Sequence, residues 1–199
     1  DYTPEDESGD VHLFTVGLAQ RCEAAGVDFR FNTRITRLIS EGGQVLGVEV
    51  IEPDGRYGRI DADAYVVALG SYSPMLVRPL GVPCNVYPAK GYSATYPILK
   101  PEAAPSVSLT DSSHKVVFSR LGNRLRMAGT AELSGYSREL NAGRCDALTT
   151  LARELFPDAL DFERVSYWSG LRPSTPSNVP LIGRTRIANL YLNTGHGTL

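Results

Sequence analysis

The sequence predicts a mixed fold, α/β in its first part and α+β after it, on three observations. Ala64-Tyr65-Val66-Val67-Ala68-Leu69 is a continuous apolar run closed by Gly70, the pattern of a strand buried on both faces, as in a parallel sheet. Beyond Pro88 the chain breaks into short runs at 92–98, 106–109, 115–119 and 124–129 with turns between them, which reads as mainly antiparallel sheet. Two segments keep helical spacing instead: Val11, Phe14, Leu18, Cys22 and Ala25, then Leu148, Leu151, Ala152 and Leu155.

In chain order, Asp10 is placed to cap the first helix and Gly26 to end it. Residues 27–31 alternate like a strand, and 35–39 continue extended. Gly42-Gly43 is a turn before a strand at 45–51, and Asp54-Gly55 signals a hairpin into 57–61. Leu121-Gly122-Asn123 reads as a hairpin loop, 144–156 as the second helix, 162–168 as a strand and 191–193 as a last short strand. The change of character falls near 80–88, so the expected domains are 1–82, 83–168 and a return to the first domain at 169–199.

Bulk properties narrow the class. Of 199 residues, 42% are apolar and 21% charged, with a net charge of −2. This is a globular composition with no basic field for nucleic acid, and no apolar run is long enough to span a bilayer. Cys22, Cys84 and Cys145 are far apart and odd in number, and His12, His114 and His196 show no ligand spacing. Neither a disulfide framework nor a metal site is expected, and a reducing, cytoplasm-facing setting is the default. The chain has no G-x-S-x-G elbow, no Walker-type loop and no H-E-x-x-H motif.

Four stretches could carry chemistry. Ala68-Leu69-Gly70-Ser71-Tyr72-Ser73 ends the buried strand, where ligands bind in open α/β sheets; a plain strand-to-helix turn is the alternative. In Gly170-Leu171-Arg172-Pro173-Ser174-Thr175-Pro176 an arginine braced by prolines could grip a carboxylate by two parallel hydrogen bonds, or could sit in a surface loop. Asn193-Thr194-Gly195-His196-Gly197-Thr198-Leu199 brings a strand into a glycine turn that could open a helix toward an anion, although a lone G-x-G is a weak signal. Pro88-Ala89-Lys90-Gly91-Tyr92-Ser93 offers Lys90 and Tyr92 to a ligand, or to plain packing.

Taken together and in order, these stretches resemble the D-amino-acid oxidase-like flavoproteins, and within them the D-amino-acid dehydrogenase small subunits. The likeness also takes in Asp6-Glu7-Ser8-Gly9-Asp10 and Tyr87 through Thr95. The resemblance implies a Rossmann-like FAD-binding domain, only part of which is expected here, and an antiparallel-sheet substrate domain. It implies oxidation of a D-amino acid resembling D-alanine to an imine, hydrolysed to a 2-oxo acid and ammonia, with electrons passed to a quinone or other acceptor. Arg172 then holds the substrate carboxylate, with Tyr92 in the pocket, and no side chain is needed as a catalytic base. Ile35, Ala68, Leu69, Gly70, Gly170, Gly195, His196, Gly197 and Thr198 fall at cofactor positions.

Family members begin with a strand and a G-x-G-x-x-G turn. That motif is not in this sequence, so the chain is expected to be an incomplete part of the enzyme, with FAD held by the parent protein. Quinone-linked relatives imply a peripheral place on the cytoplasmic face of the inner membrane, and exposed sheet faces imply a possible homo-oligomer. The competing expectations are a glycine/sarcosine-type amine oxidase and a non-catalytic fragment that binds no cofactor.

Overall fold

A computed structural model describes Glu5 and residues 9–197. The chain divides into two compact units. The first takes the described residues through Asp28, with Lys90–Glu132 and Ser137–Gly170; the second takes Phe29–Ala89, Leu133–Tyr136 and the described residues from Leu171 onward. The apolar face expected on the first helix and the strand expected at 27–31 are two points where the structure departs from the sequence reading.

In the first unit, α1 (Val11–Ala24) starts where Asp10 accepts hydrogen bonds from the His12 and Leu13 N–H groups at 2.9 and 3.2 Å. Its apolar residues do not face a core: no residue of α1 is buried, and Val11 and Phe14 are 72% and 70% exposed. Residues 27–30 are in no strand, although Phe29 and Phe31 stack at 5.5 Å. Alternation creates a face, but a strand also needs a backbone partner, and none of the observed ladders includes these residues.

The rest of this unit is built on a five-stranded sheet in the order β6-β7-β8-β5-β9. Its strands are β5 (Tyr87–Pro97), β6 (Leu109–Asp111), β7 (Val116–Leu121), β8 (Arg124–Glu132) and β9 (Ser166–Ser174). The β6/β7, β7/β8 and β5/β8 pairs are antiparallel. Gly122, at φ 63°, turns the expected hairpin between β7 and β8. Alternation sends Tyr92, Ala94, Tyr96, Phe118, Leu125 and Met127 to one face.

Onto that face packs α3 (Ala142–Leu155) through Cys145, Leu148, Leu151 and Ala152, with Asn141 as its N-cap. Leu155, expected inward, is 43% exposed. The helix ends there, and Phe156 covers the core in its place, edge-on to Phe118 at 5.3 Å. Two further boundaries move. The strand expected at 162–168 is a single 3-10 turn at Phe162–Arg164 followed by β9, and the one expected at 106–109 is β6. Arg172 and Pro173 lie inside β9 and not in a surface loop, which was the alternative reading.

The second unit holds two three-stranded sheets. β1 (Arg34–Glu41), β2 (Gln44–Ile51) and β3 (Tyr57–Ile60) form an antiparallel meander. Gly42 and Gly43, at φ 59° and 78°, make its first turn, as paired positive-φ residues do in tight hairpins. The other sheet orders β10 (Leu181–Arg184), β11 (Leu190–Thr194) and β4 (Tyr65–Val67), with β4 and β11 parallel.

The Asn189 amide joins the two sheets: it accepts from the Val45 N–H at 2.8 Å and donates to the Val45 carbonyl at 2.9 Å. One core of Leu38, Val45, Tyr65, Val67, Leu190 and Leu192 lies between them. The parallel pairing matches the apolar run, but burial on both faces does not: Tyr65 and Val67 are buried while Val66 is 63% exposed. Among the described residues, no helix is long and apolar enough to cross a membrane.

Candidate functional site

Because β4 and β11 run parallel in the register Leu190↔Tyr65 and Leu192↔Val67, they deliver their carboxyl ends to the same edge of the second unit. Beyond β4 come Ala68, Leu69 and Gly70, then a 3-10 turn at Gly70–Tyr72 and the short α2 (Ser73–Val77). Beyond β11 come Gly195, His196 and Gly197. Gly70, Gly195 and Gly197 all have positive φ, at 54°, 80° and 58°, a region that side chains other than glycine occupy only with strain.

Thr194 ties the two strand ends together. Its hydroxyl, on a residue 1% exposed, donates to the Gly70 carbonyl at 3.0 Å and accepts from the Ser73 hydroxyl at 2.9 Å. The chain around Arg172 joins the same place. Gly197 N–H donates to the Pro173 carbonyl at 3.0 Å, and the Ser71 hydroxyl donates to the Leu171 carbonyl at 3.2 Å. Tyr136 closes the set, its hydroxyl donating to the Ser71 carbonyl at 3.1 Å.

A Cβ added at Gly195 would stand 2.7 Å from Thr175 Cγ2. One at Gly70 or Gly197 would stay 3.8 Å from Pro173. Gly70 and Gly197 therefore present open backbone here, while Gly195 is packed against Thr175. Arg172 is half-buried, and among the described residues it has no ion-pair or hydrogen-bond partner for its guanidinium.

The structure thus brings together five of the residues singled out from sequence, Gly70, Arg172, Gly195, His196 and Gly197, with Ala68 and Leu69 leading into them. His196 is exposed. The other candidates lie elsewhere. Ile35 is on β1 opposite Val50, where the β1/β2 register slips between Ile35 and Arg37. Gly170 is in the first unit, under the Trp168 ring, and an added Cβ would fall 2.1 Å from that ring. Thr198 lies outside the described residues.

Tyr92, also in the first unit, is 2% exposed with its ring in the core, and its hydroxyl donates to Glu132. That carboxylate is the centre of a charged cluster that sequence reasoning missed. Lys90, 3% exposed, lies 3.2 Å from Glu132 Oε2 and donates to the Glu139 carbonyl at 2.9 Å, while Arg144 Nε is 3.5 Å from the same oxygen. The Tyr92 hydrogen bond, helped by Lys90 and Arg144, holds the Glu132 carboxyl below its ordinary range. For Lys90, burial opposes the charge and is outweighed by Tyr92 and Glu132, so its ammonium is held above its ordinary range. The only sequence signal was Lys90 itself, because Glu132 reaches it through the β5/β8 register.

A family profile described as FAD dependent oxidoreductase, DAO, matches residues 2–199. A D-amino acid dehydrogenase from Dechloromonas aromatica (strain RCB) is 58% identical over 199 residues, covering 100% of this chain and 48% of that protein. Another from Paramagnetospirillum magneticum (strain ATCC 700264 / AMB-1) is 52% identical, covering 100% of this chain and 46% of that protein. The chain therefore spans about half the length of these curated relatives. The fold is that of L-proline dehydrogenase from P. horikoshii, with TM-score 0.81 and 15% identity over 98% of this chain and 52% of that one. Glycine oxidase from Bacillus cereus ATCC 14579 shares it, with TM-score 0.75 and 22% identity over 92% of this chain and 49% of that one. With the profile running along almost its whole length, the chain belongs to the FAD-dependent oxidoreductase (DAO) family.

Proposed function

We propose that this chain supplies the substrate-holding part, and one section of the flavin-binding part, of an enzyme that oxidatively deaminates D-amino acids of the D-alanine type. The observation that carries the reading is the convergence of Gly70, Arg172 and the Gly195–Gly197 turn at the carboxyl ends of two parallel strands. The names of the relatives, D-amino acid dehydrogenases, point to the substrate class.

The residues present suit a flat, anionic cofactor. Three positive-φ glycines carry no side chain at the strand ends, so a ring system can approach the backbone closely at those positions. On this reading Ala68, Leu69, Gly70, Gly195, His196, Gly197 and Thr198 are the residues that would hold FAD. Next to Ile35 the β1/β2 register slips at Thr36, which leaves irregular backbone there suited to contact with an adenine. The chemistry FAD would supply when bound is acceptance of the hydride, with its electron pair, that leaves the substrate Cα–H bond.

The chain's own residues do the orienting. Arg172 takes the substrate carboxylate in a two-pronged hydrogen bond, which fixes the Cα–H direction. The amine binds neutral, so no side chain has to remove a proton from carbon. Tyr92 holds the first unit's sheet through Glu132, and Gly170 leaves room for Trp168. The imine product takes up water, giving the 2-oxo acid and ammonia. The electrons then pass to a quinone or similar acceptor, which places the enzyme peripherally on the cytoplasmic face of a membrane. Homo-oligomers would use the exposed apolar side of α1.

Arg172→Ala in the holoenzyme should raise KM for D-alanine by an amount equal to about 2–5 kcal/mol of lost carboxylate binding. Unchanged kinetics would remove Arg172 from the site, and turnover of glycine or sarcosine in preference to D-alanine would replace the substrate assignment.

A further inference from the structure

The second face of the five-stranded sheet carries a charged group with no counterion among the described residues. Leu125 and Met127 of β8 point into the core, so Arg126 between them points to the opposite face, beside Thr95 of β5 and Ser119 of β7. One guanidinium nitrogen donates to the Ser93 hydroxyl at 3.0 Å, and Ser93 is 3% exposed. The guanidinium carbon lies 5.4 Å from the centroid of the Trp168 ring. That ring is seated across Gly170, where an added Cβ would collide with it at 2.1 Å.

Among the described residues, no carboxylate pairs with Arg126. Elsewhere in the chain Arg37, Arg56, Arg59, Arg144 and Arg164 each have one. A guanidinium has five N–H donors. Here a hydroxyl and an aromatic face hold it in place while most of those donors stay free. A half-buried cation held by neutral groups alone gains by taking an anion. Trp168, 53% exposed, sets a flat apolar surface next to it.

We propose that Arg126, Trp168 and Ser93, spaced by Gly170, form a binding site for a carboxylate carried on a flat apolar body. The carboxylate takes the free edge of Arg126 and the apolar body lies against the indole. The site is contained in the first unit and does not depend on the reading of Arg172.

Trp168 is the only tryptophan of the chain, so its fluorescence reports on this site alone. Phenylacetate titrated into the protein should change that fluorescence saturably, and the neutral analogue phenylacetamide should not. Arg126→Gln should weaken phenylacetate at least about tenfold, as loss of a charge-assisted contact requires, while Arg172→Ala should leave the titration as it was. A flat phenylacetate titration, an equal response to phenylacetamide, or an unchanged titration in Arg126→Gln would overturn the proposal. The two-ligand comparison uses only the wild-type chain, so it decides even if Arg126→Gln fails to fold. Loss of the signal in Arg172→Ala would also overturn it, by moving the ligand to the other site.

Discussion

At Gly195 the backbone runs at φ 80°, and a Cβ would stand 2.7 Å from Thr175 and 3.4 Å from Val86. Conformation and space both ask for glycine there. Gly195→Ala should lower stability by about 1–3 kcal/mol from backbone strain alone, and chemical denaturation would read it; an unshifted midpoint would show that the turn relaxes. Gly70 has the same sign of φ but open contact distances to Pro173, so strain is its only steric demand. Glycines were the legible part of this site, because they punctuate a sequence wherever they stand. Thr194 was not legible. Its partner Ser73 is 121 residues away, and nothing about a threonine at a strand end announces that distance.

Among the elements, β5 and β8 show how much a register decides. Their pairing sets Lys90 against Glu132, and Tyr92 then adds its hydroxyl to the same carboxylate. Glu132 is held below its ordinary range, so its contribution to stability is present above that range and is lost as pH falls through the lowered value. Lys90 is held above its ordinary range, so its contribution is present below that range and is lost as pH rises through the raised value. Glu132→Gln should therefore lower Tm by several degrees at neutral pH. The gap to wild type should narrow as pH falls from the ordinary carboxylate range through Glu132's lowered value. A gap that stays constant with pH would show that shape, not charge, is what Glu132 supplies.

Elements set by local chemistry were readable in advance. Asp10 capped α1, Gly122 turned the β7/β8 hairpin, and the apolar run of β4 announced a parallel neighbour. Elements set by a partner were not. β10 exists because β11 lies beside it, while residues 27–30 alternate without a ladder. The apolar spacing of α1 predicted its helix but not its exposure, because periodicity shows where an apolar stripe is and not what lies against it.

For the molecule as a whole, two units with separate cores carry separate duties. The second gathers its glycine turns and Arg172 at one sheet edge, and the first holds a sheet with a charged cluster at Glu132 and, on its other face, Arg126 held by neutral groups. Composition was of little help at this scale: a net charge of −2 excludes a nucleic-acid field and says nothing of flavin chemistry. Resemblance implied the cofactor and substrate classes, and Arg172 is the residue proposed to hold the carboxylate. The most direct test of that account is anaerobic addition of D-alanine to the FAD-loaded holoenzyme, followed by flavin absorbance. The account predicts bleaching at low D-alanine concentration in wild type, and in Arg172→Ala only at concentrations higher by about thirtyfold or more. Bleaching at the same D-alanine concentration in both proteins would contradict it.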